Sequence, residues 1–245
     1  MKNNRIGTAG WSLPSALKEH FPPGDSILEQ YSQIFNAVEI NSSFYKSHRK
    51  TTYARWAAAT PPDFQFAVKM FKQITHIKKL IGIEADLDKF IEETSGLQTK
   101  LGPLLIQLPP SLRFNFAIAK NFFMLLRNKY TGKVVLEPRH ISWSHLEAVA
   151  MVNAYNIDHV LADPVKVPIE SNIKPLFSYY RLHGSPDIYS SSYDAKFLDQ
   201  LADHLKNTSW VIFDNTMLGA ATKNALELKQ LKLVNSQYHA QLLLT

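Results

Sequence analysis

Eight short β-branched or aromatic runs alternate with helical patterns along this chain, and that alternation restricts its fold more than any other feature. The runs are Arg5–Ala9, Ala37–Asn41, Phe64–Lys69, Pro103–Gln107, Lys133–Glu137, Asp158–Ala162, Phe177–Leu182 and Trp210–Asp214. Several, such as LLIQL, KVVLE and HVLA, are apolar nearly throughout. Strands buried on both faces of a parallel sheet read this way. Helical patterns lie between them at Ser26–Phe35, Thr51–Ala59, Asp86–Gln98, Ala117–Lys129, Trp143–Tyr155, Tyr193–Lys206 and Gly219–Gln230. Asp25 or Ser26 is placed to cap the first, and Pro61-Pro62 stops the second. Such alternation predicts right-handed crossovers around a parallel sheet. The length, 245 residues, is close to the ~250 of one α/β barrel. The expected architecture is α/β, a single (β/α)8 TIM-like barrel forming one domain over residues 1–245. Strands six and seven are about fifteen residues apart, with Pro164, Pro168 and Pro175 between them, too little for a full crossover helix. The barrel is therefore expected to be irregular there, with a helix missing, unless the strand count is off by one. An open doubly wound sheet is the rival topology. Its nucleotide-binding versions are disfavoured, because no Gly-rich phosphate loop follows any strand.

Composition narrows the chemistry. Hydrophobic residues make up 45% and charged residues 20%, enough for a real core without metals or disulfides. With no cysteine, thiolate zinc sites, iron–sulfur clusters, disulfides and a cysteine nucleophile are all excluded. The start, MKNNRIGTAGW, lacks the apolar stretch of a signal peptide, and a cytoplasmic location is expected. No run of ~18 apolar residues exists, so no membrane partner is expected. The net charge of +6 and pI of about 9.3 favour anionic partners. Even so, the densest cluster, Lys69, Lys72, Lys78 and Lys79, is too sparse for a nucleic-acid arm.

In such barrels the functional groups sit at the carboxyl ends of the strands. Here those ends carry Trp11; Glu39, Asn41, Phe44 and Tyr45; Lys69 and His76; Gln107; Glu137, Arg139, His140 and Trp143; Asp163; Arg181 and His183; and Asp214 and Asn215. Polar groups that interrupt apolar runs must pair, meet water or meet a ligand, since each costs several kcal/mol if buried alone. A convergence of about ten of them is what a polar cleft needs.

The segments GTAGW, FNAVEINSSFY, RWAAATPPDFQFAVK, ITH, LGPLLIQLPPSLRF, LEPRHISW, YYRLHG and FDNTMLGAATKNALEL, taken in order, resemble the motifs of the YecE-like family, domain of unknown function 72. The resemblance runs from about Ile6 to Leu228. It implies a TIM-barrel fold and supplies no activity. The chain departs from the family pattern twice. Asp214 stands where an Asn is usual, which adds a charge, and Asp163-Pro164 replaces the commoner Asp-Thr or Asp-Ser.

His183, Glu137, Glu39 and Asp163 are the candidate catalytic residues. His183 is the acid/base of choice, because an imidazole titrates near neutrality. Glu39 and Glu137 serve as its carboxylate partners or, on the bland reading, pair with Lys69, Arg181 or Arg139. Lys69, Arg139 and Arg181 come from three strands and suit a phosphate or carboxylate. His76 closes over the ligand or caps a helix. Asn41, Gln107 and Asn215 orient hydroxyls, and Trp11, Tyr45 and Trp143 form a stacking rim or cap the core. If a divalent metal is bound, Glu39, Glu137, Asp163 and His183 are its ligands. No nucleotide cofactor is expected, since Walker and Rossmann fingerprints are absent. A glycosidase is disfavoured because strands four and seven end in Gln107 and His183 rather than paired carboxylates. The leading expectation is an enzyme on a small polar anionic metabolite, an isomerase, lyase or hydrolase. A nucleic-acid partner ranks below it, beside a non-catalytic ligand sensor.

Overall fold

The computed structural model describes residues 4–170 and 175–242, with side chains up to residue 234. Its strands are β1 (Arg5–Thr8), β2 (Ala37–Ile40), β3 (Gln65–Lys69), β4 (Leu101–Gln107), β5 (Val134–Glu137), β6 (Asp158–Asp163), β7 (Tyr179–Leu182) and β8 (Trp210–Phe213). They pair in parallel in the order β1-β8-β7-β6-β5-β4-β3-β2, as a TIM-like barrel requires. All eight expected strands are present, and the doubly wound alternative is set aside.

The helices are α1 (Ile27–Ile34), α2 (Ser42–Tyr45), α3 (Lys50–Ala58), α4 (Glu84–Thr94), α5 (Phe116–Lys129), α6 (Leu146–Ala154), α7 (Ala195–His204) and α8 (Ala220–Leu242). Ser26 caps α1 in a reciprocal box with Glu29. Asn41, expected to end the second strand, has already turned into helical backbone before α2 (φ −87°, ψ −23°). The helix expected over Trp143–Tyr155 is two pieces, a 3-10 turn at Ile141–Ser144 and then α6, because His145 between them is extended. Between β6 and β7 no helix occurs among the described residues, as the prolines foretold.

Barrel closure at β1 and β2 is made largely by side chains. The strands share one bridge, Ala9 to Glu39, with Gly10 N–H donating to the Glu39 carbonyl at 2.8 Å. Below it, the Tyr31 hydroxyl stands between the strands. It accepts from Thr8 N–H at 2.8 Å and donates to the Ala37 carbonyl at 3.1 Å. The Asn36 amide likewise accepts from Ile6 N–H at 3.0 Å. Gly7 makes this approach fit, since a Cβ there would lie 2.0 Å from the Ala37 oxygen.

The inside of the barrel is filled unevenly. Tyr179 and Trp210 stack with centroids 5.8 Å apart, opposite small Ala37 and Ala67. Gly102 leaves room for the Trp210 ring, which a Cβ would meet at 2.6 Å. Above this apolar plug the inward positions turn polar.

Candidate functional site

Side chains alternate between the two faces of a strand. From the apolar plug, the next inward positions are Glu39 on β2, Lys69 on β3, Gln107 on β4, Glu137 on β5, Arg181 on β7 with His183 beyond it, and Asp214 after β8. The hub is Arg181, which has no solvent exposure. Its Nε and Nη2 donate to the two oxygens of Glu39 at 3.0 and 2.8 Å. Its Nη1 donates to Glu137 Oε2 at 2.6 Å, and Nη2 also reaches Asp214 Oδ2 at 2.9 Å. The Tyr179 hydroxyl donates to Glu39 Oε2 at 2.8 Å. Both Glu39 oxygens are thus occupied, and this carboxylate is an anchor for Arg181 rather than a base open to a ligand.

His183 bridges the remaining carboxylates. Its Nδ1 lies 3.0 Å from Asp214 Oδ2 and its Nε2 lies 3.1 Å from Glu137 Oε1. Arg139 competes for the same place: Nε donates to Glu137 Oε1 at 2.7 Å, Nη2 contacts the same oxygen, and Nη2 sits 3.2 Å from His183 Nε2. Two acidic neighbours favour the imidazolium, while the guanidinium favours a neutral ring that accepts.

The charges nearly balance. Glu39, Glu137 and Asp214 face Arg181, Arg139 and Lys69, so the balance tips with His183. Burial opposes ionisation of Glu137, but Arg181, the His183 hydrogen bond and Arg139 override it and hold the carboxyl well below its usual range. The same contest, with Arg181 again the main counter-charge, lowers Asp214. Burial favours neutral His183, yet its hydrogen bonds to Asp214 and Glu137 raise it above 6.5. Lys69 moves the other way: burial, then the Arg181 charge, lowers it. Its ammonium lies 4.4 Å from the Phe44 ring centroid and forms no ion pair among the described residues. His76 packs edge-on against the same ring at 4.8 Å. Burial, then Lys69 and Arg139, push it down to about 4, so it is neutral at physiological pH.

The expected site residues divide by the face they occupy. Glu39, Glu137, Arg139, Arg181 and His183 join one network, with Lys69 and His76 beside it. Asn41 Nδ2 reaches Asp214 Oδ1 at 3.4 Å, and its Oδ1 is buried without a partner. Gln107 is aligned with Glu137 across β4 and β5 and half-buried at the same end. Tyr45 is 67% exposed, and Trp11 packs edge-on against Trp56 at 5.1 Å.

Three expectations need correction. Asp163 has the opposite strand parity to Val160 and Ala162, so it faces out, where its carboxylate accepts from the Tyr193 hydroxyl at 2.8 Å. Asn215 also turns outward, donating to Ser191 O at 2.8 Å and Asn224 Oδ1 at 3.0 Å. Trp143 belongs to the core: it is 1% exposed, packs against Phe114 and Phe123, and donates to Leu112 O at 3.0 Å. The metal set falls with Asp163. Among the described residues no group of three or more His, Asp or Glu is arranged to hold a metal, and the Arg181 guanidinium occupies the place among the carboxylates where a cation would sit. Tyr179 is a residue that sequence reasoning missed, and Asp214, noted at the end of strand eight as an added charge, is absent from the candidate site, which takes Asn215 instead. Period-two counting along β7 and β8 signals both, since Tyr179, Arg181 and His183 share a face, as do Trp210, Ile212 and Asp214.

Comparison with known proteins agrees with this architecture. Residues 5–241 match the family model described as Protein of unknown function DUF72. The UPF0759 protein YecE of Escherichia coli K12 is 31% identical over 104 residues, 42% of this chain and 37% of that protein. The UPF0759 protein YunF of Bacillus subtilis 168 is 30% identical over 111 residues, 43% of this chain and 39% of that protein. These alignments span well under half of either relative. Among solved structures, a DUF72 family protein from Thermotoga maritima MSB8 superposes with a TM-score of 0.77 at 26% identity, covering 93% of this chain and 98% of the other. One from Enterococcus faecalis V583 gives 0.78 at 20% identity, covering 94% and 95%, a likeness of fold. No helix among the described residues is long and apolar enough to cross a membrane.

Proposed function

We propose that this chain, which belongs to the DUF72 family of proteins of unknown function, is an enzyme that binds a small polar anion at the carboxyl ends of its strands and moves a proton there. Phosphorylated sugars and carboxylates are the substrate classes that suit it. The observation that carries this reading is Lys69, a nearly buried cation that touches no carboxylate among the described residues and feels Glu39, Asp214 and Glu137 only at longer range, beside a network whose other charges are in direct contact. A buried unpaired charge is costly, and an anionic ligand relieves the cost.

Lys69 and Arg139 hold the anion, Arg139 with its planar fork. The orphaned Asn41 Oδ1 accepts from a substrate hydroxyl, and Gln107 sits at the same end. His183 is the proton donor, its imidazolium favoured by hydrogen bonds to Asp214 and Glu137. It is 2% exposed, and Arg139 lies against its Nε2. An anion that draws Arg139 away removes one of the groups packed against that nitrogen, which Glu137 Oε1 still holds at 3.1 Å until the ligand competes for the proton. Proton transfer is the step that isomerases, lyases and hydrolases share, and the network supports all three.

The near-complete burial of His183 also favours a second reading, a sensor that binds the same anion without turning it over. The two part on turnover. Purified protein is incubated with each stabilising anion and product is followed by NMR, for wild type and for His183→Gln. Turnover lost in the variant, with binding retained, supports the enzyme. Binding without turnover in either protein supports the sensor. Retention on short oligonucleotides at low salt, with no small anion bound, contradicts both and moves the site to nucleic acid.

A further inference from the structure

The turn from β8 into α8 and the loop after β1 enclose a second space, outside the barrel wall. Thr8 has the opposite strand parity to Ala9, which packs against the inner apolar plug, so Thr8 faces outward. Between Thr8, the loop at Ser12–Ser15 and the start of α8 lies a cavity of about 310 Å³. Every residue lining it is described, and none belongs to the strand-end network. Its volume is at the lower end of the ~300–1,000 Å³ of small-molecule pockets. Ser12, Ser15, Thr216 and Thr222 bring hydroxyls to it, and no charged side chain lines it.

Two features of α8 point to an anion. The first is its bare N-terminus. Gly219 precedes Ala220 and has no side chain to cap the helix, and the first turn holds no acidic residue. Of the first three N–H groups, only that of Ala221 has an acceptor among the described residues, Asn215 O at 3.0 Å. Free N–H groups at the positive end of a long helix favour a negative ligand. The second feature is Thr222. It is 3% exposed, and its hydroxyl has no hydrogen-bond partner among the described residues. Its oxygen is not sealed in, as the orphaned oxygens of Asn41 and Asn215 are, and the space it meets is this cavity. A nearly buried hydroxyl without a partner is costly, and an anionic oxygen that accepts from it removes the cost.

We infer that this cavity binds a phosphate group, held by the Thr222 hydroxyl and N–H and, nearer the mouth, by the hydroxyls of Thr216 and Ser15. The site is separate from the strand-end network and does not depend on the activity proposed above. Having no cation of its own, it holds the anion more weakly than Lys69 and Arg139 do, and it stays largely empty at concentrations that fill a site there.

The probe is inorganic phosphate, titrated into the full chain and followed residue by residue in amide NMR spectra. Wild type and Lys69→Met are both expected to show saturable shifts at Ala221 and Thr222. Thr222→Val keeps the shape and removes the hydroxyl. It should weaken binding by about tenfold to a hundredfold, the worth of a hydrogen bond to a charged group. Ser15→Asp sets a negative charge at the exposed mouth and should abolish the shifts, and it decides the matter if Thr222→Val does not fold. Phenyl phosphate separates the sources of the group. Tighter binding than inorganic phosphate, with the ring along Leu13 and Leu218, assigns the site to a phosphomonoester, and equal or weaker binding assigns it to the free ion. The proposal is overturned if the Thr222 amide does not respond in wild type, if the response is lost in Lys69→Met, or if either cavity variant binds phosphate as wild type does.

Discussion

Two largely buried histidines, one on each side of the barrel wall, show how this molecule treats polar groups. His183 faces inward and His159 outward from the neighbouring strand. Burial lowers both. In His183 that effect is overcome by hydrogen bonds to Asp214 and Glu137, which raise the ring above 6.5. In His159 nothing opposes it, and the ring falls to about 4. Inside the barrel, strands from around the ring deliver counter-charges to one place. Outside, no helix covers β6 among the described residues, and a nitrogen is left unpaired and a leucine partly in solvent. Burial therefore sets the direction of an imidazole unless the fold hydrogen-bonds the ring to carboxylates, as it does for His183 and not for His159 or His76.

The contrast is broken most severely at Arg181. Arg181→Met leaves Glu39, Glu137 and Asp214 facing one another without their shared counter-charge. It is expected to cost about 3–5 kcal/mol, read from urea denaturation, the loss found when one partner of a buried ion pair is removed. A loss below 1 kcal/mol would mean that the network carries little of the stability. Next in size is Asp214→Asn, which weakens a charge-assisted contact to both His183 and Arg181. It should cost about 1.5–3 kcal/mol and lower the His183 titration seen by NMR.

The two histidines also predict opposite pH slopes. His183 is raised on folding, so its contribution is fully present below the unfolded value of 6.5 and is lost as pH rises through the folded value. His183→Gln should flatten that alkaline decline. His159 is lowered on folding, so between about 6.5 and 4 the unfolded chain binds more protons and stability drops as pH falls. His159→Phe should remove that part of the acid loss. Glu137 and Asp214 add an acid-side loss of their own, present above the unfolded carboxyl range and vanishing as pH drops through their depressed values. The denaturation midpoint followed from pH 4 to 9 in both variants separates these slopes. The smallest effect is His159→Phe at neutral pH. Replacing an unpartnered nitrogen with a carbon ring should leave stability within about 1 kcal/mol of wild type or raise it. A clear loss would show that this nitrogen has a partner after all.

Much of this architecture was legible in the sequence, because parallel strands buried on both faces announce themselves as apolar runs, and the three prolines between strands six and seven agree with the lack of a helix there among the described residues. The polar strand ends were equally plain. Which side of the wall each polar group takes was harder to read. A one-residue error in strand phase exchanges Asp214 for Asn215, and it sends Asp163 outward to Tyr193. Trp143 shows a second limit. Nothing local distinguishes a rim aromatic from one wedged against Phe114 and Phe123, since that depends on how a 3-10 turn packs. The Tyr31 bridge at the β1–β2 seam ties Ala37, six residues on, to Thr8, twenty-three residues back, and no short-range pattern signals that second link.

The central claim is that the strand-end network is an anion site completed by Lys69. It is tested most directly by thermal unfolding of wild type and Lys69→Met across a panel of phosphorylated sugars and carboxylates. The account predicts that at least one anion stabilises wild type, by about 2.7 kcal/mol at a hundredfold excess over its Kd, and that the gain disappears in Lys69→Met. If no anion stabilises wild type, or if the gain persists without the lysine, the network is an internal ion-pair scaffold and the site lies elsewhere.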